Sequence, residues 1–326
     1  METEQAKLPP PPHLISSFAA GFDAIANHVS VIILPILVDI FLWLGPHLRL
    51  TTLLQTWWKW SVNSPLFQVP PNTDLNTAKQ NLDQFATNFN LFAGLRTFPV
   101  GPASLMSVRL PSETPLGVPA TYDLTIFSAF GWALLILLVG WLLGGFYFYF
   151  VSNAALTLPR RPILPAIFQV LVLCVFWLVV VFAAGLPILL IASVLMLVSS
   201  FLAQAFLFML VMVALWAVLP VFFSPHGIFA YQQNALMAIR NSMRLIRYTA
   251  PTSGLFLMGL FVIGQGLDFL WRTPADTSWW MLVGIAGHAF ISTALLAASF
   301  IYYRDVNAWL TAVFEQLKRR PASIKI

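Results

Sequence analysis

Hydrophobic residues form long uninterrupted runs in this chain, and polar residues gather between those runs. The stretch 162–239 contains no Asp, Glu, Lys or Arg and consists mainly of Leu, Val, Ile, Phe, Ala and Met. A helix needs about 20 apolar residues to cross the roughly 30 Å hydrocarbon core of a bilayer. This stretch alone is therefore long enough for two crossings, and the pattern predicts an all-α, polytopic transmembrane helical bundle.

The apolar runs predict about six spans. The first occupies 29–45, and five more lie within 124–301, together with a half-inserted helix at 187–200. That helix is separated from the third span by Gly185 and Pro187, because a proline inside a helix removes a backbone hydrogen bond. For the same reason the Ser-Pro-His-Gly sequence at 224–227 is predicted to end the fourth span.

Amphipathic or polar segments connect the spans. Residues 1–28 predict a cytoplasmic tail and an interfacial helix, and 46–123 predict an exoplasmic loop with one amphipathic helix and an otherwise irregular chain. A cytoplasmic amphipathic helix is expected at 228–248, and a basic amphipathic cytoplasmic tail at 302–326. The 46–123 loop is not predicted to form an independent core.

Composition supports this interpretation and excludes several classes of protein. The chain is 59% hydrophobic and only 9% charged, whereas a soluble domain carries about 25% charged residues. Its single cysteine, Cys174, excludes an intramolecular disulfide and a thiolate metal cluster. The sequence has no zinc-ligand spacing and no phosphate-binding glycine loop. We therefore expect no cofactor, no metal and no nucleic-acid partner.

Basic residues predict the orientation. Six spans place both termini on one side, and that side carries eleven of the 17 Lys and Arg residues: Lys7, Arg160, Arg161, Arg240, Arg244, Arg247, Arg304, Lys318, Arg319, Arg320 and Lys325. Positive charge accumulates on the cytoplasmic side of membrane proteins. We therefore expect a multi-pass protein of the bacterial inner (plasma) membrane with both termini in the cytoplasm.

Asp39 and His288 are the strongest candidates for chemistry. Each lies about ten residues into a predicted span, the first and the sixth, so the two share a depth. An ionisable group at that depth is costly unless it is paired or protonated. The pair is either a proton, cation or substrate site, or a structural contact that satisfies two buried groups. Asp268 and Gln265 are interpreted as boundary residues that face water.

Two further sets of residues have a predicted role. Arg240, Arg244 and Arg247 form a stripe on the 228–248 helix, where they would contact anionic lipid headgroups or a protein partner. Gly140 and Gly144 lie four residues apart in the second span, and small residues at that spacing allow close helix packing.

One helix carries a family resemblance. Ala238 to Leu245 reads A-I-R-N-S-M-R-L and resembles an A-x-x-R-S-x-R-L helix in bacterial polytopic membrane proteins, except that asparagine precedes the serine and the first arginine lies one position earlier. These proteins include the membrane domain fused to some glycerophosphodiester phosphodiesterases. The Tyr303-Arg304-Asp305 triplet is also similar to the end of that domain. The resemblance implies a membrane bundle, and the phosphodiesterase activity does not carry over, since the catalytic barrel of that enzyme is absent.

The sequence favours a non-enzymatic membrane module, acting in lipid or envelope organisation or as a subunit of a membrane complex. Membrane lipids, especially anionic headgroups, and proteins of such a complex are the expected partners. The alternative is a small-solute or ion transporter that uses Asp39 and His288. An intramembrane enzyme is least favoured, because no second catalytic group is evident.

Overall fold

The structure, a computed structural model, describes residues 10–64, 75–108, 111–156 and 162–319. Five of the basic residues discussed above lie outside these ranges: Lys7, Arg160, Arg161, Arg320 and Lys325. The described helices and strands are α1 (Leu14–Ala26), α2 (Ile33–Leu44), β1 (His47–Arg49), α3 (Thr51–Asn63), α4 (Leu75–Asn88), β2 (Thr121–Asp123), α5 (Ile126–Leu156), α6 (Ile163–Val198), α7 (Ser200–Tyr231), α8 (Ala235–Trp271) and α9 (Met281–Arg319). The predicted all-α class is confirmed.

Five of these helices, α5 to α9, are long and apolar enough to cross a membrane. A sixth crossing is obtained if α1 and the segment Val29–Leu44, which form a bent pair, count as one broken span. The number agrees with the predicted six spans and makes the chain a multi-pass membrane protein.

Two predicted helix breaks are wrong. Helix α6 continues through Gly185 and Pro187 to Val198, so 187–198 belongs to the third span and is not a separate half-inserted helix. Helix α7 likewise continues through the proline at 225 to Tyr231. A proline removes one backbone bond, and in an apolar environment the rest of the helix keeps its bonds because no water can replace them.

A side chain compensates for the lost bond at the second of these prolines. Pro225 has no N–H to donate to the carbonyl of Val221, four residues earlier. The Ser224 hydroxyl donates to that carbonyl at 2.7 Å instead. The helix therefore loses no backbone acceptor where the sequence predicted its end.

The amphipathic helix predicted at 228–248 is divided between α7 and α8. Gln232 adopts a left-handed conformation, with φ of 54°, that ends α7. Asn234 then accepts a hydrogen bond from the N–H of Met237 at 2.8 Å and caps α8. Helix α8 continues through a kink at Thr249, two residues before Pro251, into the fifth span.

The chain forms two compact units, and the first comprises the described parts of 1–29, 148–264 and 292–326. In this unit α1 packs closely against α9. A Cβ added to Gly21 would lie only 2.5 Å from the backbone nitrogen of Ala298. The Phe18 ring stacks on Phe256 at 5.0 Å. Part of the predicted interfacial helix is thus buried against protein.

The second unit comprises the described parts of 30–147 and residues 265–291. Strands β1 and β2 pair in parallel, with His47 opposite Thr121. A cluster that includes Leu48, Leu95 and Ile136 packs beneath them. The predicted amphipathic helix is α4, and the loop also contains α3, β1 and β2, which the sequence analysis did not predict. Its apolar cluster is shared with α5 through Ile136. The sequence offers little indication of β1 and β2, because strands of three residues are too short to show a clear alternation of apolar and polar residues.

His47 is buried in this small sheet, at 2% exposure. Burial, reinforced by the charge of Arg49, lowers the pKa of His47 below its ordinary value of 6.5. Folding therefore favours the neutral imidazole at this position.

Candidate functional site

Asp39 lies on α2 with a fully buried side chain, at 0% exposure. Its Oδ1 accepts hydrogen bonds from the Ser104 hydroxyl at 2.6 Å and from the N–H of Met106 at 2.9 Å. Its Oδ2 accepts from the N–H of Leu105 at 2.9 Å. We call residues 104–107 the Asp39 turn. Three donors to one buried carboxylate compensate for much of its lost hydration.

His288 lies beside this carboxylate on α9. Its Nδ1 is 3.7 Å from Oδ2 of Asp39, and its Nε2 is 3.4 Å from Oδ1 of Asp268. The structure thus brings together Asp39 and His288, the two residues that the sequence placed at equal depth. Both distances exceed the 2.7–3.2 Å range of good N–H···O hydrogen bonds, so these contacts are electrostatic.

Asp268, which was interpreted as a boundary residue facing water, is buried at 8% exposure and faces His288. That interpretation is wrong. Its other oxygen lies 3.7 Å from a guanidinium nitrogen of Arg272, one helical turn later. Asp39, His288, Asp268 and Arg272 therefore form a line in which acidic and basic side chains alternate. We call these four residues the polar line.

Apolar side chains surround the Asp39 end of the polar line. Val38, Leu42, Leu105, Met106 and Ile285 belong to one buried cluster with Trp43 and Met281. Such a cluster excludes water and strengthens the attraction between the charges that it encloses.

Two glycines of α9 also fix the polar line. A Cβ on Gly284 would lie 2.4 Å from the carbonyl oxygen of Trp271, and one on Gly287 would lie 2.5 Å from the Trp271 ring. The end of α8 can approach α9 closely only because these positions lack side chains. That approach holds Asp268 and Arg272 against the helix that carries His288.

An imidazole between two carboxylates can act in two ways. Protonated, it forms an ion pair with both, and the pairing compensates for burying three charges. Neutral, it can take a proton on one nitrogen and release one from the other, which is the geometry of a proton relay. The residues of the polar line are suited to either role.

The arginine stripe lies on the N-terminal half of α8, where all three side chains are exposed. The Arg244 guanidinium lies over the Phe314 ring at 5.3 Å, and that of Arg247 over the Tyr248 ring at 6.0 Å. Arg240 shares the exposed face. The structure holds this stripe in the first unit and the polar line in the second.

Gly140 and Gly144 allow a close approach, but their neighbour is not a membrane helix. A Cβ on Gly140 would lie 2.7 Å from the carbonyl oxygen of Leu95, and one on Gly144 would lie 2.5 Å from the Cα of Gly101. The 95–101 segment of the loop between α2 and α5 therefore packs directly on α5. The sequence pattern signalled the close contact but not its partner.

The sequence analysis missed a buried histidine in the first unit. His226 has 0% exposure, and its Nε2 lies 2.7 Å from the Ser299 hydroxyl oxygen. Its ring is enclosed by an aromatic cage: Phe148, Phe222, Phe223, Phe300 and Tyr303. The density of Phe and Tyr around 222–231 and 300–303 was the available signal. The predicted helix break at 224–227 concealed it.

Comparison with protein-family models, curated proteins and solved structures found no match to this chain. The resemblance to the membrane domain of glycerophosphodiester phosphodiesterases therefore stays a prediction. In the described ranges no group of three His, Cys, Asp or Glu side chains is arranged to hold a metal ion.

Proposed function

We propose that this protein is a non-enzymatic membrane module that acts in lipid or envelope organisation or as a subunit of a membrane complex. The observation that carries the proposal is the set of three hydrogen bonds from the Asp39 turn to Asp39. The deep carboxylate of the first span is committed to holding an exoplasmic segment on the bundle. A carboxylate that binds and releases an ion or substrate needs oxygen atoms that hydrogen bonds do not already occupy.

The outer surface of α6 and α7 favours a role among lipids or partner helices. Large apolar side chains along this hairpin are more than half exposed, including Val181, Leu190, Phe208 and Trp216. Lipid or another apolar protein surface must cover them. We place the protein in the bacterial inner membrane with both termini cytoplasmic, because the basic residues accumulate on that side.

Extraction in polymer nanodiscs, without detergent, tests the module proposal. A module of this kind is expected to copurify with a defined lipid or protein in a constant ratio, measured by native mass spectrometry. The matched sample is the same protein exchanged into detergent and returned to nanodiscs of one synthetic lipid. A bare monomer in both preparations, with measurable solute flux in proteoliposomes, would overturn the proposal.

A proton-coupled transporter is the second candidate, favoured by the position of His288 between two carboxylates. Proton transfer through His288 would require Asp39 or Asp268 to accept and release protons during the cycle. The polar line provides such a sequence of groups, although its Asp39 end is fixed by the Asp39 turn.

Proton flux into liposomes with an imposed pH gradient distinguishes the two candidates. The transport hypothesis predicts that His288→Gln abolishes flux while the amount of folded protein is unchanged. Ser193→Ala, on an exposed position of α6, is the matched control. If wild-type protein and His288→Gln both leave the gradient intact, the transport hypothesis is excluded.

A further inference from the structure

A groove lies between the N-terminal half of α8 and the C-terminal part of α9. Its volume is about 360 Å³, and the buried side chains of Leu245 and Leu310 lie at its base. Polar side chains line the rest of it: Asn241, Arg244, Asn307, Thr311, Glu315 and Lys318. All of them belong to the first compact unit, so the groove lies within one packed set of helices.

The Arg244 side of the groove lies close to the apolar segment of α8. Arg244 precedes the kink at Thr249 by five residues, a rise of about 8 Å along the helix. The headgroup layer extends roughly 5–8 Å beyond the hydrocarbon on each side of a bilayer. Since the apolar segment of α8 begins just after the kink, Arg244 projects at the level of the headgroups.

Arg244 is held in place before any ligand binds. Its guanidinium lies 5.3 Å from the centroid of the Phe314 ring, and Tyr248 packs against the same ring at 5.2 Å. Such a cation–π contact contributes about 0.5–1 kcal/mol at an exposed site. A guanidinium oriented in this way loses less rotamer freedom when it binds a phosphate, and it can bind two phosphate oxygens at once.

The charges of the groove select among headgroups. Arg244 and Lys318 provide two cations, and Glu315 provides one carboxylate. Within the described residues, no ion pair joins Glu315 to either cation. A phosphate alone would bind the cations but be repelled by Glu315. A ligand with a phosphate and a primary ammonium would satisfy all three, because the ammonium has three N–H donors for the carboxylate.

We infer that this groove binds the phosphoethanolamine headgroup of a lipid in the adjacent leaflet. Arg244 and Lys318 contact the phosphate, and Glu315 accepts hydrogen bonds from the ammonium. The acyl chains then continue along the apolar surface of α8 and α9. The inference rests on the proposed function and deepens it, since it names the lipid that the module holds.

Lipid retention in mixed nanodiscs tests the inference. The full-length protein is reconstituted with equal amounts of phosphatidylethanolamine, phosphatidylglycerol and phosphatidylcholine, and bound lipid is counted by native mass spectrometry. We expect retention of phosphatidylethanolamine over both others. Arg244→Ala and Lys318→Ala should each reduce it about two- to five-fold, as for the loss of one exposed ion pair.

Glu315→Gln gives the sharper result, because it should shift the preference from phosphatidylethanolamine to phosphatidylglycerol. Arg304→Ala is the matched control, since Arg304 is an exposed cation of the same helix that pairs with Asp305 outside the groove. Equal retention of all three lipids, or the same profile for Glu315→Gln as for wild type, would overturn the inference. In that case copurification of a protein partner would still support the proposed module.

A soluble competitor distinguishes the lipid from a free metabolite. Millimolar O-phosphoethanolamine should leave the retained lipid in place, because the free headgroup lacks the apolar contacts of the acyl chains. Displacement of the lipid at that concentration would overturn the assignment to a membrane lipid.

Discussion

The Asp39→Asn variant tests whether the Asp39 carboxylate holds the Asp39 turn on the bundle. An asparagine amide offers one acceptor oxygen and one NH2 group. With the oxygen at the Oδ1 position, the bonds from Ser104 and Met106 remain. The NH2 group then faces the N–H of Leu105, which loses its acceptor in a buried environment.

The cost of this change can be estimated from that geometry. A hydrogen bond to a charged acceptor contributes about 1.5–3 kcal/mol, and a buried donor without a partner costs about 1–3 kcal/mol. We expect opening of the Asp39 turn to become easier by about 2.5–6 kcal/mol in total. Since about 1.36 kcal/mol corresponds to a factor of ten, amide protection should fall by roughly 70-fold to 26,000-fold.

Hydrogen–deuterium exchange of peptides that cover 104–107 measures this opening. Asp268→Asn is the matched control, because it removes a carboxylate from the polar line that contacts His288 and Arg272. Its exchange at 104–107 should equal that of wild type. Exchange in Asp39→Asn within threefold of the control would refute the anchoring role of Asp39.

Three further changes test other parts of the structure. Gly144→Leu would place a side chain 2.5 Å from the facing loop backbone, so the melting temperature in detergent should fall by several degrees, whereas Gly131→Ala meets no atom within 4 Å and should not change it. Ser299→Ala removes the hydrogen-bond partner of the caged His226 and should cost about 1–3 kcal/mol in chemical unfolding, with an unchanged value counting against the cage as a stabilising element. The lowered pKa of His47 means that the unfolded chain binds more protons below pH 6.5, so folding stability should decrease as the pH falls from 7.5 to 5, and His47→Gln should lose this dependence when melting temperatures are compared across that range.

The sequence predicted the class of fold because membrane spans depend on length and apolarity alone. It also predicted that Asp39 and His288 share a depth, since residue counts along two helices determine that. It could not predict the Asp39 turn, because Ser104, Leu105 and Met106 bind through two backbone N–H groups and one hydroxyl. Backbone donors leave no signature in a sequence.

The prolines of α6 and α7 show a second reason why the structure differs from the sequence prediction. Local propensity predicts a break at Pro187 and Pro225, because each removes a backbone bond. The structure retains the helix at both positions. A hydroxyl beside Pro225 replaces the missing donor, and such a bond can be recognised only once helical geometry is assumed.

The α6–α7 hairpin has a consequence for the membranes in which this protein can reside. Its helices contain 36 and 32 residues, or about 54 and 48 Å, against a hydrocarbon thickness of roughly 30 Å. Tilting a rod of about 54 Å into that layer requires an inclination above 50°, beyond the 0–40° found for most spans. The hairpin therefore creates a positive hydrophobic mismatch, which favours local thickening of the bilayer in addition to tilt and bending of the helices. A protein with this shape is expected to sort to, or to recruit, the thicker regions of its membrane.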